Sequence, residues 1–575
     1  PADPEFLMQR PSQIPFPLSS FPGDNPQEGA GRLINCFAEP LGEPSRPTAP
    51  SPQKWMGSAG LSQFAITAQA DYRGGLIVKN LSYEVFETNV ATVDAAAVVN
   101  VLGPILGTKK VSIARNQAAV TDVVAVDVDN GAFKLSGGGA PTAYNGAGNL
   151  PQPNSVSNQD GYFFFTIADG RVFASGLNAL TQNALTFITI QARADVTLLR
   201  GIPFSGLMLF FTTGHFEAWQ DAANVAPAFP YSRLSAVDYG LIQPAAIAGF
   251  EVGFAELLWV AQDFGVYWLT PGSLAPLKVS PSDLDRLIEA QVKAGNTLEA
   301  GCYSVGGKKF WHLSSPLWSW EFNISTKKWN ERSSWQGGVY RRWRATCGHP
   351  AFNKWLVGDQ QSGNLLFHDD TNYTENGSPM LFRLESGPVR DFPQELGIAR
   401  ADIDFVMGVG QAVGNYRMTV LGAAAGSGGV VRLTVDQTSQ AHTGDNVQVA
   451  GVLGTTEANG VFPMTVVDVN HIELQGTVFV NAYISGGIAT DITAPVGAID
   501  PQCAISVSKD GGATFDNPSI RSLAPQGKSQ RSRATIKNRG QAGPAGVRVR
   551  VDITDPVYRS VMGGTMSSNP REVTP

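Results

Sequence analysis

Tyr162–Thr166 reads YFFFT and Arg171–Ser175 reads RVFAS, two apolar strands joined by a turn that ends in Asp169-Gly170. The same pattern occurs seven times between residues 76 and 369. First strands begin at Leu76 (LIVKN), Val123 (VVAVDVDN), Tyr162, Leu207 (LMLFFTTG), Leu257 (LLWVAQDFG), Lys309 (KFWHLSS) and Lys354 (KWLVGDQQSG). They are spaced 47, 39, 45, 50, 52 and 45 residues apart. Each is followed by a partner: LSYEVF, AFKLS, RVFAS, HFEAW, GVYWLT, LWSWEF and NLLFHD. A period of roughly 40–50 residues built from strand pairs predicts a β-propeller, one blade per repeat. One strand pair cannot bury its apolar face in water, but blades stacked around an axis can. The fold class is all-β, with a propeller of about seven blades.

Composition agrees with that class. The chain has 575 residues, long enough for several domains, and 43% hydrophobic content is enough for real cores. Only 16% of residues are charged, while 62 Gly and 37 Pro punctuate the chain, as a loop-rich β architecture requires. A net charge of −7 argues against a protein that grips nucleic acid over its whole surface. It suits a surface along which polyanions pass without sticking. No apolar run approaches the ~20 residues of a membrane span, and no basic region followed by an apolar block marks a secretory leader. Cys36, Cys302, Cys347 and Cys503 stand singly, without metal-ligand spacing, and read as buried free thiols.

Around the propeller (55–380) the chain divides into an arm, a second β domain and an insert. Residues 1–54 are proline-rich and read as an extended arm, residues 1–7 being an extension ahead of Met8. Within the arm, Arg32-Leu-Ile-Asn-Cys-Phe-Ala-Glu-Pro40 is an apolar island expected to lie along its own propeller or a neighbour. Ser280 to Lys293 reads as a helix between the fifth and sixth blades: Ser280 as cap, Pro281 at the first turn, and Leu284, Leu287, Ile288 and Val292 on one face. Segments 381–421 and 488–575 form a β domain interrupted by a small β module, 422–487, whose short strands begin near Val431, Asn446, Phe462 and His471.

Candidate chemistry is sparse. The six histidines show no metalloprotease spacing, and no nucleophile elbow, Walker loop or dinucleotide fingerprint occurs in context. His368-Asp369-Asp370 follows a strand and reads as a solvated loop before a cation site. Lys327 to Trp335 and Arg341 to Arg344 interleave bases with aromatics, a pattern that can bind nucleic acid. Trp318, Trp320, Trp329 and Trp343 fall at blade positions, however, which favours packing between blades. Ser508-Lys-Asp-Gly-Gly-Ala-Thr-Phe515 resembles an Asp-box, the hairpin of sialidase propellers. Its elements are Ser508, Asp510, Gly511, Gly512 and Phe515. The carboxylate would cap backbone N–H groups while the glycines take positive φ, a structural role even in enzymes. Segment 521–559 carries nine bases against Asp552 and Asp555, a balance of +7 in an acidic chain. Arg521, Arg531, Arg533, Arg539, Arg548 and Arg550 are read as carboxylate forks at a subunit interface in preference to a DNA-facing wall.

Three stretches together resemble the tail hub or nozzle proteins of short-tailed bacteriophages, the packaged DNA stabilisation proteins. They are Gly31 to Pro40 with Trp55-Met-Gly-Ser-Ala-Gly-Leu61; Asp160-Gly-Tyr-Phe-Phe-Phe165 with Arg171 to Asn178; and the Asp-box-like turn, the spaced arginines and Val549-Arg-Val-Asp-Ile-Thr-Asp-Pro-Val557. Phe515 departs from the usual Trp, and the 422–487 module is extra. The resemblance implies a virion protein without catalytic residues or cofactor, assembled in the host cytoplasm. It further implies a homohexameric ring below the portal and adaptor proteins that extends the DNA channel and helps retain the packaged genome. Such a ring contacts double-stranded DNA without sequence specificity and docks plug, fibre or spike proteins. The rival readings are a receptor-binding or glycan-degrading tail protein and a cellular propeller adaptor. A regular β-helix repeat or an acidic pair in a motif would mark the glycan-degrading rival, and neither is present.

Overall fold

The structure, a computed structural model, describes residues 12–41, 52–190, 196–224, 227–391, 395–409, 417–438, 441–492, 500–524 and 533–571. Two compact units appear: residues 1–404 with 504–520 and 535–575, and residues 405–503 with 521–534. Residues 1–11 and the proline-rich stretch 42–51 fall outside the described residues, as does Arg531.

Five four-stranded antiparallel sheets follow one another from Gly74–Val78 to Leu277–Lys278, each a simple meander. The sixth begins with Glu299–Val305, Lys308–Ser314, Ser319–Asn323 and Lys328–Gln336, and the seventh with Ala345–Ala351, Lys354–Asp359 and Leu365–Asp369. In six of the seven blades the repeat recognised in the sequence is the middle pair of strands; in the first blade it is the first pair, Gly74–Val78 with Leu81–Val85. Neighbouring blades bury both faces of these strands. Phe163 and Phe165 of YFFFT join Val124, Val126 and Phe173 against the second blade. Phe164, pointing the other way, joins Met208, Phe210 and Tyr231 against the fourth. All three phenylalanines are fully buried, each stabilising the fold by roughly 1.5–3 kcal/mol.

The seventh blade is closed from the far end of the chain. Gly60–Ala65 pairs antiparallel with Leu365–Asp369, placing Leu61 opposite His368. The apolar island of the arm is likewise built into its own molecule. Arg32–Ile34 lies between Lys328–Gln336, parallel to it, and Phe382–Glu385, antiparallel to it. That sheet then continues through Arg548–Ile553 and Gln502–Ser508. The C-terminal strands therefore extend the sixth blade. Asn35, buried at φ 51°, makes the corner: its amide donates to the carbonyls of Ser333 (2.8 Å) and Leu381 (2.9 Å) and accepts from Ser333 N–H (3.0 Å). Asparagine tolerates this left-handed conformation better than other residues with a side chain.

The helix runs Ser282–Lys293 with Leu284 and Ile288 buried. Its cap differs from expectation. Pro281 occupies the capping position without a side-chain bond, while Ser280 accepts from Val266 N–H and donates to Asp285. Ser280 instead finishes the last strand of the fifth blade.

In the second unit the inserted module is a closed six-stranded barrel from Arg417–Ala425 to Ile488–Asp491, wider than the 422–487 expected. Its first and last strands pair, Arg417 opposite Thr490, so the chain enters and leaves side by side. Its core is its own, built on Met418, Val431, Leu433, Val447, Ile472 and Leu474. Replacing residues 417–491 with a short glycine-serine linker should leave the thermal midpoint of the propeller within about 3 °C of the parent, by scanning calorimetry. Loss of the cooperative transition would show that the barrel is needed for the fold.

Candidate functional site

The first strands of the blades line a central tunnel. Two chambers of about 350 Å³ and 650 Å³ share Tyr72, Val111, Ser112 and Arg200, which form a collar between them. In the wider chamber Glu299 accepts from Lys110 Nζ (2.8 Å) and Cys347 N–H (2.9 Å), with Arg342 3.6 Å away. Burial alone would raise the Glu299 carboxyl, but Lys110 and Arg342 outweigh it and hold it down at about 2. In the narrower chamber His349 bridges Tyr72 Oη (3.3 Å) and Ser82 Oγ (2.7 Å), while Tyr72 donates to Glu84 (3.0 Å). Gly75 admits this network, since a Cβ there would lie 2.0 Å from Glu84 Oε2. Behind the tunnel, burial pushes His312 down to about 3, and it packs edge-on to Trp343 at 5.1 Å.

The predicted turn takes shape as a capped hairpin. Ser508 Oγ accepts from Gly512 N–H (2.7 Å), and Asp510 accepts from Thr514 N–H (3.0 Å) and Thr514 Oγ1 (2.6 Å). Gly511 and Gly512 have φ of 76° and 110°. Burial opposes ionisation of Asp510, yet the Thr514 and Ser508 hydroxyls and backbone N–H groups hold it at about 2. Phe515 lies under the Arg550 guanidinium at 4.2 Å. The group serves the turn.

The C-terminal arginines are not brought together as one surface. Arg548 is buried and turned into its own chain, donating to the carbonyls of Pro26, Gly29 and Ser386, with Glu385 3.5 Å away. Arg559, also buried, donates to the Met380 carbonyl (2.8 Å). Arg550 stacks on Phe515 and approaches Asp552 (3.4 Å), and Arg539 pairs with Asp516 (3.2 Å). Arg533 is exposed and Arg521 half-buried. Burial of Arg548 had no signal in the sequence, because its acceptors are backbone carbonyls some 520 residues away.

Other candidates resolve into packing. Trp320, Trp329 and Trp343 are buried, and Arg344 forks onto Asp359 (2.9 and 2.5 Å). His368 is buried and stacked on Tyr303 at 3.6 Å, and Asp369 accepts from Ser62 and Thr371. Cys36, Cys302 and Cys503 are buried free thiols, with Cys347 half-buried. Among the described residues no group of three or more His, Cys, Asp or Glu is placed to hold a metal, and no helix is long and apolar enough to cross a membrane.

An all-β ring of blades stacked around a tunnel defines a β-propeller. The family model described as the β-propeller of bacteriophage P22 Gp10 matches residues 48–372, and the chain belongs to that family of structural proteins of the phage tail hub. No curated protein matches the chain. Among solved structures, a streptogramin B lyase is 11% identical over 54% of this chain and 97% of its own, with a TM-score of 0.37. Virginiamycin B lyase from Staphylococcus aureus is 9% identical over 54% and 98%, with a TM-score of 0.36. The WD40 β-propeller domain of Doa1 is 9% identical over 54% and 94%, at 0.33.

Two measurements follow from this geometry. Arg548→Ala leaves buried carbonyls and Glu385 without their donor and should cost about 3 kcal/mol in urea unfolding, with faster protease cleavage near residues 20–31. Unchanged stability would contradict the buried bonds. Because Glu299 is depressed when folded, its contribution is present above pH ~4.5 and lost as pH falls toward about 2. Glu299→Gln should flatten that part of the stability-against-pH curve, read from urea midpoints between pH 5 and pH 2.5.

Proposed function

We propose that the protein forms a homohexameric hub or nozzle in the tail of a short-tailed phage. It extends the DNA channel below the portal and adaptor, helps retain the packaged genome, and docks fibre, spike or plug proteins. Membership of the P22 Gp10 family supports the virion setting. The tunnel carries the oligomeric part of the reading: chambers of about 350 and 650 Å³ are on the scale of a small molecule, not a duplex. A DNA conduit must therefore run between copies of the chain, not through one. The net charge of −7 suits such a conduit, since each neutralised phosphate would retard ejection.

Of the six arginines read as interface forks, Arg548, Arg539 and Arg550 are engaged within the chain, which leaves exposed Arg533 as the best placed of the described ones for a neighbouring subunit. Native mass spectrometry and negative-stain microscopy of the full chain should show a sixfold ring. Replacing Arg531, Arg533 and Arg539 with Ala should raise the concentration needed for assembly at least tenfold without moving the unfolding midpoint of the monomer. A wild-type chain that stays monomeric at tens of micromolar, alone and with its adaptor, would defeat the proposal. Mutants that assemble normally but fail to retain DNA would assign these arginines to the channel.

A further inference from the structure

We propose that the collar of the propeller tunnel is a binding site for a small oxyanion, with Arg200 as its principal donor. This goes beyond the hub reading and does not depend on the oligomer. Arg200 makes a single hydrogen bond among the described residues, from Nη1 to the Pro244 carbonyl (2.8 Å), and its plane lies over Phe250 at 5.0 Å. No carboxylate among the described residues is within ion-pair distance of it, although it lines both chambers. The Nε–Nη2 edge is thereby left open, and that edge forms two parallel bonds with a carboxylate or phosphate.

The neighbouring acid makes no ion pair with it. Glu251 Oε2 already accepts from Gly249 N–H (2.6 Å) and the Cys302 thiol (3.2 Å), and burial raises its carboxyl toward the neutral form. A guanidinium held in a tunnel without a directly paired carboxylate gains from the arrival of an anionic partner. Further positive charge stands on either side: Arg115 at the narrower chamber, and Lys110 with Arg342 sharing the one carboxylate of Glu299 in the wider.

The backbone is also irregular at this place. Of the seven blade-opening strands, two depart from regular pairing, between Leu198 and Arg200 and between Ala345 and Gly348. The first falls at the collar, at Arg200, and the second beside Cys347, which lines the narrower chamber. Bulges re-aim side chains beside functional sites. A regular strand would place Arg200 one step out of register.

Phosphate and carboxylate share this chemistry, and calorimetric titration of the full-length protein separates them. Sodium phosphate and sodium succinate are titrated at ionic strength held constant with sodium chloride. At least one should bind saturably at one site per chain, the stronger binder naming the ligand class. Arg200→Gln should weaken that binding at least tenfold, Arg200→Lys by less, and Lys293→Gln on the outer helix not at all. Should Arg200→Gln fail to fold, the wild-type protein still decides. The bound anion should slow phenylglyoxal modification of Arg200, followed by peptide mass spectrometry, at least threefold. Absence of binding by both anions, equal binding in Arg200→Gln, or unprotected Arg200 would overturn the site.

Discussion

Three residues of the arm, Arg32–Ile34, complete the sheet on which the two ends of this molecule meet. Between the outer strand of the sixth blade and the first strand of the C-terminal domain there is room for one strand, and the arm supplies it. Arg32 forks onto Glu331 at 3.0 and 2.5 Å, Ser20 reaches the same carboxylate at 2.6 Å, and Leu33 is fully buried. Arg548 holds the preceding turn by its carbonyls. Without that strand, Lys328–Gln336 and Phe382–Glu385 would each present an unpaired edge, a template for aggregation.

Charge follows the same inward plan. The arginines that look from sequence like an outward-facing set fall into separate tasks. Arg344 and Arg332 neutralise buried carboxylates inside the propeller, Arg548 and Arg559 bind backbone carbonyls, and Arg550 covers an aromatic ring. These guanidinium groups place their charge inside the fold and not on its surface. Arg200 in the tunnel stands apart from these, with a single backbone acceptor among the described residues.

Much of the propeller was legible because its blades are buried on both faces. YFFFT and LMLFFT declare themselves as strands without alternation, and the barrel strands Val431–Val435 and His471–Leu474 fall where their short apolar runs stand. What was hidden depends on distant partners. Gly60–Ala65 has modest apolar content and gains its identity as the last strand of the seventh blade only from Leu365–Asp369. Ser280 carries every local sign of a helix cap, yet its hydroxyl accepts from Val266 of the preceding strand and meets the helix only through the Asp285 carboxylate. The collar gave no motif, since Arg200 acquires its exposure to the tunnel from a local irregularity in pairing and from a carbonyl 44 residues on.

The closing strand and the arm also set an order of events during synthesis. Residues 60–65 leave the ribosome long before Leu365–Asp369, their partner, exists, and Phe382–Glu385 waits for Arg548–Ile553 near the end of the chain. Non-local pairings of this kind form late and slowly. The early blades can stack as they emerge, but the sheet that joins arm, sixth blade and C-terminal strands is completed only when translation is nearly finished. A chain truncated before residue 548 would carry its blades with that sheet unfinished, its strand edge open to other chains in the same state. Completion of the last strands thus decides whether that edge is covered.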